Sequence, residues 1–291
     1  MKYSELLEIW KGTNLEFSEI ILAEDMIETG RDPQKVKENL RKLMDVMLEE
    51  SEKNFGKKFQ TLTGMTGENG YKFSQYVPTM MSQFNHVATA VALSMGESNA
   101  SMGRIVACPT AGSCGVVPGV LYALRKIYKA NDEDLLKSFI VASGIGNIVA
   151  KKATLSGAAG GCQAEIGTAT AMASALLTYY FSNDPLKVGN AAALAFKSLM
   201  GLVCDPVGGF VEVPCVKRNG VAVNIAIACS EMALASIESV IPFDEVIEAM
   251  YLVGKALPES LKETGIGGIA ATKTAQKIVE KIKENWMKNN D

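Results

Sequence analysis

Three cysteines stand in loops marked by glycine or proline, and thiols in such loops are candidates for holding a metal or an inorganic cluster. Cys162 lies in GGCQAE, Cys204 in LVCDPVGG and Cys215 in VEVPCVKRNG. Neither the paired cysteine spacing of zinc sites nor that of bacterial ferredoxins is present in the sequence, so the spacing alone is weak support. The local chemistry adds to it, because glycine and proline free backbone N–H groups to donate to sulfur, as they do around iron–sulfur clusters.

A further loop, PTAGSCG at 109–115, runs directly into a predicted helix. Free N–H groups and the positive end of that helix dipole would bind a carboxylate. The hydroxyls of Thr110 and Ser113 are additional donors, so the predicted carboxylate site comprises Thr110, Ala111, Gly112 and Ser113. The alternative is a tight turn in which the same hydroxyls only cap the helix.

The other cysteines and the single histidine have plainer interpretations. The N-terminal segment MKYSELLEIWKG lacks the apolar core of a secretory signal, which indicates a cytoplasmic protein whose thiols stay reduced. Cys229, within NIAIACSEMALA, is interpreted as a small buried hydrophobic residue. Cys108 and Cys114 receive no ligand role and are either packing residues or spare thiols. His86 lies in the helical pattern QFNHVATAVALSM and is expected to be a hydrogen-bonded structural residue.

The composition is that of a globular protein and excludes several classes of partner. The chain has 291 residues, of which 48% are hydrophobic and 21% charged. No linker rich in proline, serine and glycine divides it, so residues 1–291 are expected to form one large domain. The formal net charge of −3 and the pI of about 5.5 leave no overall basic character for binding nucleic acid or an anionic membrane.

Helical periodicity dominates the chain and predicts an all-α fold. The segment RDPQKVKENLRKLMDVMLEESEKNF has Asp32 as a cap, Pro33 at the first helical position and an apolar face that includes Leu43. The exception is VEVPCVKRNGVAV at 211–223, whose alternation and Asn219-Gly220 turn predict a short hairpin. Glycine-rich loops precede several helices. Further helices are predicted over 16–29, 73–95, 115–130, 133–152, 163–182, 185–203, 223–240, 243–257 and 273–288.

Residues 166–183 carry no charge and are long enough to suggest a membrane span. The run contains several threonines and serines and lacks flanking basic residues, which argues against a span. A helix buried on all sides within a helical bundle is the favoured interpretation.

Four motifs together resemble a known family. NASMGRIVACPTAGSCGVVPGVL, SGAAGGCQAEIGTATAMA, GLVCDPVGGFVEVPC and ETGIGGIAATKT, in this order, are similar to the alpha chain or catalytic domain of bacterial iron–sulfur-dependent L-serine dehydratases. The resemblance extends from about Ile20 to Lys277. It implies an all-helical catalytic domain, with a cluster-binding core at about 99–240, that cleaves L-serine to pyruvate and ammonia in amino acid degradation that supplies gluconeogenesis.

The resemblance also implies a cofactor and its ligands. Cys162, Cys204 and Cys215 would hold a [4Fe–4S] cluster with one iron open to substrate, and pyridoxal phosphate would not be needed. The open iron would act as a Lewis acid for the leaving hydroxyl of serine. Asn99, at the start of the first motif, joins the 110–113 loop as a substrate-binding residue.

The base that removes the substrate proton is not evident from the sequence. Candidates near the predicted ligands are Lys151, Lys152, Ser156 and Glu165. Glu165 shares a helix face with Cys162 by its spacing, although a carboxylate that caps the first turn is an equally good interpretation. Lys152 is alternatively a solvated charge at a helix C-terminus.

Two departures from the family pattern bear on partners and regulation. Single-chain relatives carry a further domain with an SSHT segment, which this sequence lacks, so a beta chain is expected to complete or regulate the site. Some relatives end in a cysteine that can occupy the free iron, whereas this sequence ends WMKNND, which puts such autoinhibition in doubt. The rival functions are a related cluster-dependent lyase acting on threonine or cysteine, and a non-catalytic helical subunit.

Overall fold

The structure is a computed structural model that describes residues 2–288, with side chains as far as Met287. Within that range the all-α prediction is confirmed, since the regular structure is helical and one isolated bridge joins Cys204 to Lys262. The last three residues of the WMKNND tail lie outside the described residues. The helices are α1 (Tyr3–Gly12), α2 (Phe17–Thr29), α3 (Pro33–Asn54), α4 (Asn69–Gln75), α5 (Gln83–Ala100), α6 (Val116–Ala123), α7 (Asp132–Lys152), α8 (Gly157–Gly160), α9 (Thr168–Ser182), α10 (Pro185–Leu199), α11 (Cys215–Leu234), α12 (Phe243–Ala256) and α13 (Lys273–Lys288).

Most of the predicted helices form within a few residues of their expected bounds, because their caps are readable in the sequence. Asp32 accepts a hydrogen bond from Gln34 N at 3.1 Å, and Pro33 begins α3 as expected. The helix predicted over 73–95 is wrong in its start: α4 ends at Gln75 and α5 begins after Ser82, which accepts from Asn85 N at 3.1 Å. Leu43, expected on the buried face of α3, is 42% exposed.

The hairpin predicted at 211–223 is wrong, because α11 begins at Cys215 and runs through Asn219 and Gly220. Packing of this segment against α5 favours the helix over the turn. A Cβ atom on Gly220 would come within 2.9 Å of Leu93 Cδ2, so the glycine allows α11 to lie close against α5. The amide of Asn219 is used for contacts with another loop and is therefore not available to stabilise a turn.

The centre of the fold is α9, which packs against α7, α10 and α11. Its small side chains are buried on every side, and its threonine hydroxyls donate to carbonyl groups four residues earlier. Thr168 Oγ1 donates to Ala164 O at 2.6 Å, and Thr178 Oγ1 donates to Ser174 O at 2.8 Å. Most of the buried hydroxyls of this uncharged helix are satisfied in this way, and Ser174 Oγ is the described exception.

None of the helices between residues 2 and 288 combines the length and the apolar character needed to span a bilayer. The uncharged run at 166–183 is the buried helix that the sequence favoured.

A π-helical turn, Gln163–Gly167, joins Cys162 to α9. One residue more than an α-helical turn is accommodated there, and such turns are frequent at functional sites. The Gln163 side chain fixes the turn: its Nε2 donates to Gly160 O at 2.9 Å and to Met250 O at 3.0 Å. Cys162, which is buried, and Glu165, which is partly buried, thereby lie in a segment anchored by this side chain.

Candidate functional site

The three predicted ligand cysteines come from separate parts of the chain and meet at the ends of helices. Cys162 follows α8, Cys204 lies in the loop after α10, and Cys215 is the first residue of α11. All three thiols are buried. The three thiols lie close enough that Cys204 and Cys215 each have a pKa influenced by Cys162. Cys162, Cys204 and Cys215 are together called the sulfur site.

Two glycines permit the close approach of the chain around Cys162. Gly161 has φ +77, and a Cβ atom there would lie 2.9 Å from Leu202 O. A Cβ atom on Gly157 would lie 2.6 Å from Glu165 Oε2 and 2.9 Å from Cys204 Sγ. These distances explain the glycines of SGAAGGCQAE, because any larger residue at 157 would occupy the space beside the sulfur site.

The Cys204 loop is held by the segment that carries the fourth motif. Cys204 N donates to Leu261 O at 2.9 Å, and Glu263 N donates to Cys204 O at 2.7 Å. The backbone on both sides of the Cys204 thiol is therefore fixed by a chain segment about 60 residues away, which the sequence alone did not connect to it.

The three thiols differ in how readily they ionise. The pKa of Cys162 is lowered, chiefly by the hydrogen bond with Cys204 and further by the positive charge of Arg218, against the effect of burial. The same hydrogen bond raises the pKa of Cys204. Burial raises the pKa of Cys215 to about 12. Cys162 is thus the thiol of the group whose ionisation its neighbours favour, and the thiolate is the form that binds metal.

The described residues do not form a ready-made site for a single metal ion. No group of three or more His, Cys, Asp or Glu side chains in residues 2–288 is arranged to hold one. A single ion such as zinc needs all its sulfur ligands at about 2.3 Å from one point. An iron–sulfur cluster binds each thiolate to a different iron, so its ligands can be spread over a wider volume.

The 110–113 loop faces the sulfur site through Glu165. Ala111–Ser113 forms one short helical turn, and a Cβ atom on Gly112 would lie 3.9 Å from Glu165 Oε1. The hydroxyls of Thr110 and Ser113 are 3.0 Å apart, and Thr110 N donates to Ser113 Oγ at 3.3 Å. The capping role of these hydroxyls is therefore present, and the Thr110 hydroxyl also hydrogen-bonds to Glu165.

Asn219 is a residue of this region that the sequence analysis missed. Its Oδ1 accepts from Gly115 N at 2.9 Å, while its Nδ2 donates to Gly112 O at 2.8 Å and to Cys215 O at 2.9 Å. One buried amide thus ties the 110–113 loop to the start of α11. The Asn219-Gly220 dipeptide is typical of a turn, but in the structure both residues lie within α11.

Among the candidate bases, Glu165 is the one that lies beside the sulfur site. Burial raises its pKa, the Thr110 hydrogen bond lowers it, and the charge of Glu263 raises it. Lys152 is exposed in the last turn of α7, and Ser156 is exposed at the cap of α8. Lys151 is paired with Glu28 at the surface.

The remaining candidates lie further from the thiols. Asn99 is in the last turn of α5, where its carbonyl accepts from Met102 N at 3.1 Å, and no described hydrogen bond joins its side chain to the 110–113 loop. His86 Nε2 is 2.7 Å from Phe73 O, as expected for a structural histidine. Burial raises the pKa of both Cys108 and Cys114 to about 12, and Cys229 is 1% exposed in the core.

Comparison with known proteins identifies the family. The profile of the family described as "Serine dehydratase alpha chain" matches residues 12–270. A "Probable L-serine dehydratase, alpha chain" of Bacillus subtilis is 41% identical over 284 residues, covering 96% of this chain and 93% of the relative. The "L-serine dehydratase, alpha chain" of Peptoniphilus asaccharolyticus is 36% identical over 278 residues, covering 94% and 95%.

A longer relative aligns with only part of its length. An "L-serine dehydratase" of Haemophilus influenzae is 41% identical over 181 residues, which is 62% of this chain and 40% of the relative. Since the profile matches most of the chain and the alpha-chain relatives are covered almost completely, the chain belongs to the serine dehydratase alpha chain family.

Proposed function

We propose that this chain carries the catalytic site of an L-serine dehydratase, which converts L-serine to pyruvate and ammonia. The observation that carries the proposal is the burial of Cys162, Cys204 and Cys215 together, with the Glu165 carboxylate between them and the 110–113 loop. The names of the alpha-chain relatives support the same substrate.

The cofactor of the proposed enzyme is a [4Fe–4S] cluster held by the sulfur site. The donor set fits it, because soft thiolate ligands select iron–sulfur clusters and three buried cysteines supply them. The glycine at 157 keeps the backbone close to Cys204 Sγ, since even one added carbon would lie only 2.9 Å from that sulfur. When bound, the cluster supplies an open iron that acts as a Lewis acid for the leaving hydroxyl.

The protein side chains bind the substrate and move its protons. The 110–113 loop binds the carboxylate of serine and fixes the Cα–H bond relative to the C–O bond that breaks. Glu165 removes the Cα proton and returns it to the β-hydroxyl as the C–O bond breaks, so the hydroxyl leaves as water. The aminoacrylate that forms then tautomerises and is hydrolysed to pyruvate and ammonia. A base whose pKa is raised by burial is stronger than an exposed carboxylate, which suits Glu165 to this step. Lys152 and Ser156 remain candidates only if the site rearranges on binding.

The functional enzyme is proposed to contain a beta chain, as the name of the family suggests. It would act in the cytoplasm on free L-serine, without pyridoxal phosphate. The related lyases of threonine or cysteine are the second candidate, since one extra methyl group is discriminated by only about 1–3 kcal/mol in an apolar pocket.

The test is anaerobic purification with iron and sulfide, followed by pyruvate assays on L-serine, L-threonine and L-cysteine, with and without a candidate beta chain. We expect iron and sulfide in the protein and the highest kcat/KM for L-serine. Cys204→Ala should lose the cluster and the activity, whereas Cys229→Ala, at another buried cysteine, should keep both. A colourless protein without lyase activity in the presence of the beta chain would contradict the proposal.

A further inference from the structure

A buried ion pair that the proposed reaction does not use lies against the sulfur site. Arg218 Nη2 donates to Asp205 Oδ1 at 2.9 Å, and the two side chains are 18% and 3% exposed. Burying two charges is costly unless geometry and further hydrogen bonds compensate. A gain in stability therefore does not explain why this ion pair is buried beside the sulfur site.

Arg218 contacts all three segments that carry the cysteines. It stands one turn after Cys215 on α11, and its guanidinium lies beside the Cys162 thiol. Its Nη1 donates to Val203 O at 2.9 Å, and its Nη2 contacts Asp205, so it binds the residues on both sides of Cys204. The planar guanidinium offers several donors in a fixed geometry, which lysine does not.

Asp205 extends this connection to the fourth motif. Its second oxygen, Oδ2, accepts from Ile269 N at 2.8 Å. Gly268 has φ +57, and a Cβ atom there would lie 2.2 Å from the same oxygen, so only glycine allows the segment to dock. The segment 264–269 is thereby attached to the ion pair.

We propose that Arg218 is the positioning residue of the sulfur site: it holds the Cys162, Cys204 and Cys215 segments in one arrangement and places a fixed positive charge beside the cofactor. Asp205 fixes the guanidinium and connects it to the 264–269 segment. The part of this inference that concerns the cofactor rests on the proposed function.

A fixed positive charge has a measurable consequence for a bound cluster. Reduction adds one negative charge, and a nearby cation stabilises that form. Removing the charge of Arg218 should make the midpoint potential more negative. Replacement by lysine keeps the charge but loses one of the two oriented hydrogen bonds, so the potential should be kept while the Cys204 loop becomes more mobile.

The experiment compares Arg218→Gln, Arg218→Lys and the control Lys217→Gln, a neutralisation at the adjacent exposed residue. Hydrogen exchange on the metal-free protein measures the amides of 203–205 and 264–269. Redox titration of the reconstituted protein measures the midpoint potential, with iron and sulfide content measured in each variant. We expect faster exchange in both Arg218 variants and a more negative potential in Arg218→Gln only.

Each outcome has one meaning. Exchange and potential equal to those of Lys217→Gln would overturn the proposal for Arg218. If the wild-type protein binds no iron or sulfide, the proposed cofactor fails, while the exchange measurement still decides the positioning role. If Arg218→Gln does not fold, Arg218→Lys takes its place: exchange as slow as in Lys217→Gln would then overturn the inference.

Discussion

Helix α3 carries its ion pairs at the surface, whereas the loop after α10 buries its own. Glu133, at the start of α7, binds Lys37 and Arg41 of α3 at 2.7 Å each, and all three side chains are between 33% and 45% exposed. Arg218 and Asp205 are shielded from water instead. Water weakens the first set, so losing one partner there has a small effect, whereas losing one partner of the buried pair leaves the other charge buried and uncompensated.

The surface helices and the surroundings of the sulfur site also differ in how closely their glycines are packed, as Gly12 of α1 and Gly157 of α8 show. Gly12, at the exposed end of α1, has no atom within 4 Å of the position of its Cβ. Gly157 has both a carboxylate oxygen and a thiol sulfur within 3 Å of that position. A side chain is therefore tolerated at residue 12, whereas at residue 157 it would displace Glu165 or Cys204.

The largest effect is expected at Glu165. Glu165→Gln keeps the shape of the side chain but cannot accept a proton, and we expect kcat for L-serine to fall by about 10²–10⁴-fold. The thermal midpoint should hold or rise, because a buried carboxylate is replaced by a neutral amide. Steady-state kinetics and thermal unfolding check both. Glu248→Gln, at an exposed position of α12, is the control. A kcat of Glu165→Gln equal to that of the wild type would show that Glu165 is not the base.

A slightly smaller effect is expected for Gly157→Ala. The added methyl group must displace either Glu165 or Cys204, and a misplacement of about 1 Å near the reacting atoms costs on the order of 10²-fold in rate. Cofactor content and kcat should both fall, while Gly12→Ala should change neither. If the alanine variant retained iron, sulfide and activity at the control level, the close approach at residue 157 would have no functional meaning.

Asn219→Ala should mainly affect stability. The substitution leaves Gly115 N and Gly112 O without their buried partner, and an unsatisfied buried group costs about 1–3 kcal/mol. Urea unfolding of the metal-free protein measures the loss. Asn147→Ala, at an exposed position of α7, is the matched control. A free energy of unfolding equal to that of the control would mean that the 110–113 loop does not depend on this amide.

The same contrast explains how much the sequence could predict. The outer helices are encoded locally: Asp32 and Pro33 set the start of α3 without help from the rest of the chain. The hairpin error at Asn219-Gly220 arose because a local turn signal was overridden by packing against Leu93 and by hydrogen bonds to the 110–113 loop. Such contacts join residues about 100 positions apart, which periodicity does not reveal.

The site was predictable only in part, for the same reason. Glycine and proline around each cysteine indicated functional loops, and Glu165 was readable from its spacing to Cys162. Arg218 was not singled out, because a lone arginine in VKRNG resembles a solvated surface charge. Its role depends on Val203 and Asp205 being brought to α11 by the fold.

The smallest effect is expected at the surface pairs. Glu133→Gln should lower the free energy of unfolding by less than about 1 kcal/mol at neutral pH, because exposed ion pairs contribute little. Lys37 and then Arg41 lower the pKa of Glu133 in the folded protein below its ordinary value of 4.5. The ionised carboxylate therefore stabilises the fold fully above pH 4.5, and this stabilisation is lost as the pH falls through the lower pKa of the folded state.

Urea unfolding of Glu133→Gln between pH 7 and about pH 3 checks this sign, with Glu38→Gln on the exposed face of α3 as the control. The difference from wild type should shrink toward low pH, and it should also shrink in high salt, which screens exposed charges. A difference that grew on acidification would mean that Glu133 is less stable ionised in the folded protein than in the unfolded chain. The surface pairs of α3 would then have a desolvation cost like that of the buried pair of Arg218 and Asp205.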